Sequence, residues 1–423
     1  MADSLMGELI ACHECDKLYR YERIPAGSKA NCHGCGSLLY RHIPTSLDRS
    51  LALYLAALIL FIIANVFPFL SLELGGRVVE NILLSGGWNL YKQGMGELGL
   101  LIIFTSFTCP LFVIIGMLYL LIPLRFGVVP PVMGPVYRII QAIIPWSLVG
   151  VFMLAVLIAI VKLQDLANVI TGPALISLAL LLGVYSAART NFDPEILWSA
   201  AGHSKLDLKL KADSSNSNIV NCHTCGWLSN EDENHSHCLR CTTPLHYRKP
   251  NSIENTWALL FAATVLLIPA NLYPILTVIQ FGQGAPDTIL SGILHLIEDG
   301  LWGLAMIVFI ASIVIPVTKL IALSFLLLTV QFKSNWRSRD RTLLYRVTEI
   351  IGAWSMVDIF LVGLLSSLVS LDALSTIEPG IGATYFAGVV VLTLFAAHSF
   401  DSRLIWDNAQ QTQGRTRMKE RKA

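Results

Sequence analysis

Charge is the scarce commodity in this 423-residue sequence. Only 14% of its residues are Asp, Glu, Lys or Arg, against roughly a quarter in an ordinary soluble domain. Hydrophobic residues make up 54%, and mean hydropathy is +0.61. That excludes a soluble enzyme of three domains, which length alone suggests. Net charge is missing too. Thirty Lys plus Arg against 29 Asp plus Glu leave +1, too little for a nucleic-acid partner. There is no H-E-x-x-H, no G-x-S-x-G and no phosphate-binding loop, so neither hydrolysis nor ATP use by this chain is expected. The first 46 residues are polar, and no secretory signal is read there.

What is present is apolar sequence in long runs. Eight segments are each long enough to cross ~30 Å of hydrocarbon: 50–70, 98–122, 143–163, 172–189, 256–277, 303–330, 347–369 and 380–397. The expected fold is mainly α, a polytopic membrane protein of eight transmembrane helices.

Those helices fall into two copies of one module, offset by 206 to 210 residues. Leu84-Ser85-Gly86 matches Leu290-Ser291-Gly292, Ser106 matches Ser312, Pro110 matches Pro316, and Asn65 and Pro68 match Asn271 and Pro274. Farther on, Arg138, Trp146-Ser147, Phe192-Asp193 and Trp198 match Arg346, Trp354-Ser355, Phe400-Asp401 and Trp406. An even number of spans per module makes this a parallel repeat. The expected organisation is a metal ribbon at 1–46, a four-helix module at 47–198, a polar linker at 199–221, a second ribbon at 222–249, a second module at 250–408 and a basic tail at 409–423.

Eight of the nine cysteines form four C-x-x-C pairs: Cys12/Cys15, Cys32/Cys35, Cys222/Cys225 and Cys238/Cys241. Sixteen residues separate the first two pairs and 12 the last two, a spacing that folds four thiolates around one metal. With every position a cysteine, no site is left for a substrate water, so two structural zinc ions are expected. His235 and His237 are the only candidate substitute ligands, and Cys109, alone in the second span, reads as a small apolar filler.

Lys and Arg distribution sets the orientation. The 331–346 loop carries Lys333, Arg337, Arg339, Arg341 and Arg346, whereas 278–302 and 370–379 contain neither residue. Arg77, Lys92 and Lys162 blur the pattern in the first module. Both termini and both ribbons are expected in the cytoplasm, whose reducing environment keeps thiols free for metal. On the outer side, Leu70–Leu74, a Gly-Gly pair and Arg77–Val79 read as a small hairpin in each repeat, with 275–281 its counterpart.

Two ionisable residues lie inside spans: Lys319 and Asp358. Each costs roughly 2.5–3.5 kcal/mol at a helix centre on insertion scales. They occupy adjacent antiparallel helices at similar depth, so they are expected to pair. Ser312, Thr318, Ser355 and Thr393 complete a candidate polar network for transport. The first module has Val113 and Gly150 at the matched positions, so a need common to both modules is met without the pair. The competing reading is a static ion pair that pins helix packing.

The tetracysteine pattern, Asn-x-x-Pro, Asp287-Thr-Ile-Leu-Ser-Gly292, Trp354-Ser-Met-Val-Asp358 and Asp401-Ser-Arg-Leu-Ile-Trp406, all in a twofold repeat, resemble the paraquat-inducible protein A family (PqiA, LetA), nearer the LetA branch. The resemblance covers residues 10 to 408. The first module's Trp146-Ser-Leu-Val-Gly150 departs from the motif, so any role for the acid transfers to Asp358 only. The resemblance implies a Gram-negative inner-membrane protein that moves phospholipid with a periplasmic MCE-domain tunnel protein. Two rivals remain at this level: a membrane redox protein with rubredoxin-like iron sites, and an assembly scaffold whose ribbons bind a cytosolic partner.

Overall fold

In the computed structural model the described residues are 9–22, 24–74, 77–164, 168–202, 219–230, 236–280, 283–298, 300–368 and 375–407. The expected linker is largely outside them, as are the tail beyond 407 and His235.

The chain starts with two antiparallel hairpins, β1 (Leu9–Ala11) with β2 (Leu18–Arg20) and β3 (Lys29–Asn31) with β4 (Leu38–Arg41). Each carries a C-x-x-C knuckle in its turn region. Eight apolar helical stretches long enough to cross a membrane follow: Ser46–Val66, Gly96–Arg125, Met133–Lys162 and Pro173–Asn191 in the first repeat, and Ser252–Leu272, Trp302–Gln331, Ser338–Ser367 and Ile381–Asp407 in the second. They are spans 1 to 8. Their buried shares run from 22% to 78%, and the remaining apolar surface faces outward, as a lipid-embedded bundle requires.

The first and fourth spans of each module lock together at the ribbon end. The Ser46 hydroxyl donates to the Asn191 carbonyl at 2.6 Å and accepts from the Asp193 amide at 3.0 Å. Ser252 repeats this with Ser399 at 2.7 Å and Asp401 at 2.9 Å. Both hydroxyls thereby satisfy backbone groups that a helix end leaves open.

At the other end each expected hairpin is one strand richer. Strand β5 (Leu70–Leu74) pairs with β6 (Arg77–Asn81) and, on its other edge, with β7 (Asn168–Thr171) from the connection between spans 3 and 4. The second ribbon adds β8 (Ile219–Asn221) and β9 (Leu228–Asn230). Then β10 (Leu276–Gln280) pairs with both β11 (Gln283–Asp287) and β12 (Ser375–Pro379). The third strand closes an edge that a lone hairpin exposes. Glycine permits the close approach: a Cβ on Gly172 would sit 2.0 Å from the Pro68 carbonyl oxygen, and one on its counterpart Gly380 2.2 Å from that of Pro274.

Spans 2 and 6 each contain a π-helical turn, Phe104–Thr108 and Ile310–Val314. The cause is the matched prolines. Pro110 and Pro316 have no N–H to give the carbonyl four residues earlier, and the ladder relaxes to a wider spacing around Ser106 and Ser312. Asn65 and Asn271, each three residues before a proline, donate to the carbonyls of Phe61 at 2.7 Å and Leu267 at 2.8 Å, four residues back, because helical side chains lean toward the N-terminus.

A short helix at the end away from the ribbons, Ser85–Lys92, here termed outer for that position alone, folds back against the start of span 2 (helix Gly96–Ile103). A Cβ on Gly99 would lie 2.3 Å from the Gly87 carbonyl oxygen and 2.9 Å from the Tyr91 nitrogen. Both obstacles are backbone, so Gly99→Ala forces the helices apart. It is expected to lower stability by about 1–3 kcal/mol, read as a lower thermal midpoint in detergent. Gly183→Ala, with nothing within 4 Å of the new carbon, leaves the midpoint unchanged or slightly raised.

Candidate metal centres and an inter-module cavity

The eight C-x-x-C sulfurs gather into two clusters, Cys12/Cys15/Cys32/Cys35 and Cys222/Cys225/Cys238/Cys241, with the ligand atoms of each cluster within 4.8 Å of one another. Individual separations are 3.4 Å for Cys12–Cys35 and 3.5 Å for Cys15–Cys32, and 3.4 Å for both Cys222–Cys241 and Cys225–Cys238. These approach the ~3.8 Å edge of a tetrahedron with 2.3 Å metal–sulfur bonds. Hydroxyls surround the sulfurs: Ser37 at 2.9 Å from Cys12 and 3.1 Å from Cys35, Tyr19 at 3.1 Å from Cys32, and Thr243 at 3.1 Å from Cys241. Such donors steady thiolates in an outer shell. Each cluster can hold a metal ion. His237 is exposed and bonds the Ser236 hydroxyl at 2.8 Å, and it has no place in either set. Cys109 is buried in span 2, as expected for a filler.

Neighbouring Cys12 and Cys35 sulfurs, with burial, hold the Cys15 thiol far above its ordinary range; the Cys222, Cys238 and Cys241 sulfurs do the same to Cys225. A cation removes this penalty by neutralising the thiolates, and its binding expels their protons. Lower pH therefore favours metal release, not capture. We expect two metal ions per chain at neutral pH, one in Cys12→Ser, and progressive release on acidification, measured with a metallochromic dye.

Within the membrane the polar residues separate into two groups. Lys319, 2% exposed, donates to Thr393 Oγ1 at 3.0 Å and presses against Gly352, where a Cβ would lie 2.8 Å from its Nζ. Asp358 is elsewhere. Among the described residues no ion pair joins the two. Span 7 passes Lys319 at Gly352, six residues before Asp358, which at 1.5 Å per residue is about 9 Å; a 3₁₀ turn at Ala353–Met356 stretches it further. The expected pair is thus a vertical series. Thr318 faces the exposed side, since consecutive helical residues diverge by about 100°, and it does not join.

Asp358 and Ser312 line a cavity of about 70 Å³ between the modules, with Lys162 and Ile158 of span 3 and Asp287 and Gly292 at the end away from the ribbons. That volume admits several waters. The buried Asp358 Oδ2 and Ser355 Oγ have no hydrogen-bond partner, and the Ser312 hydroxyl donates to the Val308 carbonyl at 2.6 Å. Unmet buried polar atoms in a roomy, mainly apolar cavity call for water or a moving proton.

The repeat explains why the cavity exists. Outer helix Ser85–Lys92 packs tightly on span 7: a Cβ on Gly86 would lie 3.2 Å from the Gly363 carbonyl oxygen. Ser367 donates to Asn81 Oδ1 at 2.6 Å, Asn89 donates to Ser367 at 2.9 Å, and Ser366 donates to Gln93 at 2.7 Å. The counterpart, outer helix Ile289–Glu298 beside span 3, is not packed so closely at its matched glycine. Nothing lies within 4 Å of a Cβ on Gly292, the match of Gly86. Asp287, the match of Asn81, accepts from the Ser291 hydroxyl at 3.0 Å, the bond that Asn81 also makes with Ser85. One seam is closed, and its twin is open.

A profile of the family described as Paraquat-inducible protein A matches residues 47–202 and 253–410, the two halves of the repeat. The chain belongs to the paraquat-inducible protein A family. It is 32% identical over 405 residues to Lipophilic envelope-spanning tunnel protein A of Escherichia coli K12, covering 95% of this chain and 92% of that one. It is 30% identical over 411 residues to Intermembrane transport protein PqiA of the same strain, covering 96% and 97%. A Probable intermembrane transport protein of Haemophilus influenzae is 28% identical over 415 residues, covering 94% and 96%. No solved structure matches the chain. Membership of the family, eight apolar spans and two tetracysteine clusters make this a multi-pass membrane protein.

Two contributors escaped the sequence reading. Lys162 had registered only as an orientation anomaly, and Gly292 only as part of a repeat motif. The signal for Gly292 was available, because Gly86-Gly87 becomes Gly292-Ile293 in the second copy.

Proposed function

We propose that this protein is the inner-membrane component of an intermembrane phospholipid transport system. It loads or extracts phospholipid through the open seam and exchanges it with a periplasmic MCE-domain tunnel protein. The ribbons and both termini lie on the cytoplasmic side and the two small sheets on the periplasmic side, in keeping with the basic 331–346 loop. Transport, not bond-making, is the activity, and both ribbons hold zinc as a structural ion.

The observation that carries this reading is a buried carboxylate with an unmet oxygen in an inter-module cavity. The repeat seals the equivalent seam, and the sealed copy has Gly150 in place of the acid. A carboxyl there can take a proton from the outer side and pass it, through Ser355 and water, toward Lys319 and Thr393. Protonation neutralises Asp358 and lowers the cost of apolar surroundings, coupling the proton gradient to occupation by acyl chains. The relatives' names, which speak of intermembrane transport and an envelope-spanning tunnel, support the cargo route.

The test is reconstitution with fluorescent phospholipid in vesicles carrying an imposed proton gradient. Transfer that depends on this protein and falls when an ionophore collapses the gradient supports the proposal. Transfer indifferent to the gradient removes the proton from it, and no transfer removes the function.

A further inference from the structure

The contacts of the two metal ribbons run crosswise. The first ribbon precedes module 1, yet its knuckle grips module 2. Glu14, between Cys12 and Cys15, holds Arg346 of span 7 through both guanidinium edges, at 3.0 Å to Nε and 2.5 Å to Nη2. Trp406 of span 8 packs on the same cysteine cluster. The second ribbon precedes module 2, yet its knuckle grips module 1. Arg138 of span 3 donates to the Thr242 carbonyl at 3.2 Å. Arg240, between Cys238 and Cys241, pairs with Glu195 at 3.2 Å and lies 5.5 Å from the Trp198 ring. A Cβ on Gly134 of span 3 would be 2.5 Å from the Arg240 carbonyl oxygen, so helix and knuckle meet backbone to backbone.

The two sets correspond. Arg138 is the repeat partner of Arg346, and Trp198 of Trp406; each pair meets the ribbon belonging to the other copy. Contacts with the ribbon's own module come from its far end, where the chain enters the membrane, with Arg41 to the Phe192 carbonyl at 3.4 Å and Arg248 to Asp407 at 2.5 Å; one knuckle contact joins them, His223 Nδ1 at 2.7 Å from Arg403 of span 8. The ribbons also touch each other, with His13 Nε2 3.3 Å from the His223 carbonyl oxygen, and Arg248 bridges to Asp16 of the first ribbon at 2.7 Å.

We propose that the ribbons are a metal-dependent clamp that ties the inner ends of spans 3 and 7 across the two modules. A knuckle has too little apolar core to hold its shape without metal. Glu14 and Arg240, each inside a C-x-x-C loop, are aimed only while that loop is folded. Charge-assisted, two-pronged pairs of this kind are strong and directional. Metal occupancy therefore decides whether the bridges stand. Spans 3 and 7 also wall the outer cavity, through Ile158 and Lys162 on one and Asp358 on the other. Tying their inner ends confines separation of the modules to the outer side. That consequence rests on the cargo route proposed above and is read by transport; the clamp itself is read without it.

The experiment is amide hydrogen exchange on the full chain in detergent micelles, with metal content measured alongside. Cys12→Ser/Cys15→Ser empties the first ribbon. Exchange at 338–352 in module 2 should rise at least about tenfold, the scale of one lost charge-assisted pair, with 133–143 unchanged. Cys238→Ser/Cys241→Ser should do the reverse, loosening 133–143 in module 1. Arg346→Gln keeps both metals and should loosen 338–352 alone, so the test stands even if a cysteine variant fails to accumulate. Loosening confined to each ribbon's own module, or no change in Arg346→Gln, overturns the clamp.

Discussion

Asp358→Asn is expected to lower phospholipid transfer on the order of 100-fold, the scale of removing a group that must give and take a proton, while the protein accumulates normally. The substitution is nearly isosteric. It adds two N–H donors next to Ser312 and Ser355 but cannot titrate. Asp358 is 7% exposed and the variant keeps its volume, so packing gives little reason for it to unfold. A static structural acid predicts the opposite pattern: transfer per molecule preserved, protein level reduced. Lys319→Met tests the other end of the series. It keeps the length of the chain against Gly352 and Thr393 while removing the ammonium, and it should abolish gradient dependence at normal abundance. If both variants transfer lipid at the wild-type rate, the network has no part in transport.

Filling the open seam should have an effect of similar size by a steric route. Gly292 lines the cavity, and a Cβ there meets nothing within 4 Å. Gly292→Ala is therefore expected to be silent, or slightly stabilising within its helix by up to about 1 kcal/mol. Gly292→Trp places an indole into a space of about 70 Å³, displacing whatever occupies it and propping the helix against span 3. Transfer should fall at least about tenfold, equivalent to ~1.4 kcal/mol, with the thermal midpoint retained. The matched Gly86 makes the control. Its neighbour is the Gly363 carbonyl oxygen at 3.2 Å, so Gly86→Trp breaks a packed seam and should cost stability before it costs transport. Full transfer by Gly292→Trp at normal abundance places the cargo elsewhere.

The local features were legible because their causes are local. Hydrocarbon thickness sets the minimum length of an apolar helix, and the segments near 98–122 and 303–330 were found within a few residues of Gly96–Arg125 and Trp302–Gln331. Three ribbon-end boundaries were missed by nine or ten residues: span 3 starts at Met133 and not 143, span 8 ends at Asp407 and not 397, and span 7 starts at Ser338 and not 347. The last has a visible cause. There Arg339, Arg341 and Arg346 gave the segment the look of a loop. Arg346 is accounted for by Glu14, and Arg341 Nη2 by the Ser334 carbonyl at 2.8 Å, partners that a hydropathy scan cannot see. The π-turns were missed although Pro110 and Pro316 were noticed, since a proline in a helix says that the ladder must yield but not how.

Sequence alone determined the cysteine ligand sets, the eight spans, the twofold repeat and the two buried ionisable residues. Each of these follows from spacing along one chain or from the cost of burying a charge. Tertiary structure decided three things. Lys319 and Asp358 are successive stations and not a pair, because six residues of helix separate them along span 7. The third strand of each outer sheet comes from a connection nearly a hundred residues later in the chain, with Gly172 and Gly380 permitting the approach. The two seams between the repeated modules differ, one closed by Gly86 against Gly363 and one left open at Gly292. A repeated sequence tells that two surfaces are alike. Whether both can be buried at once depends on how the copies meet, and only the assembled bundle sets that.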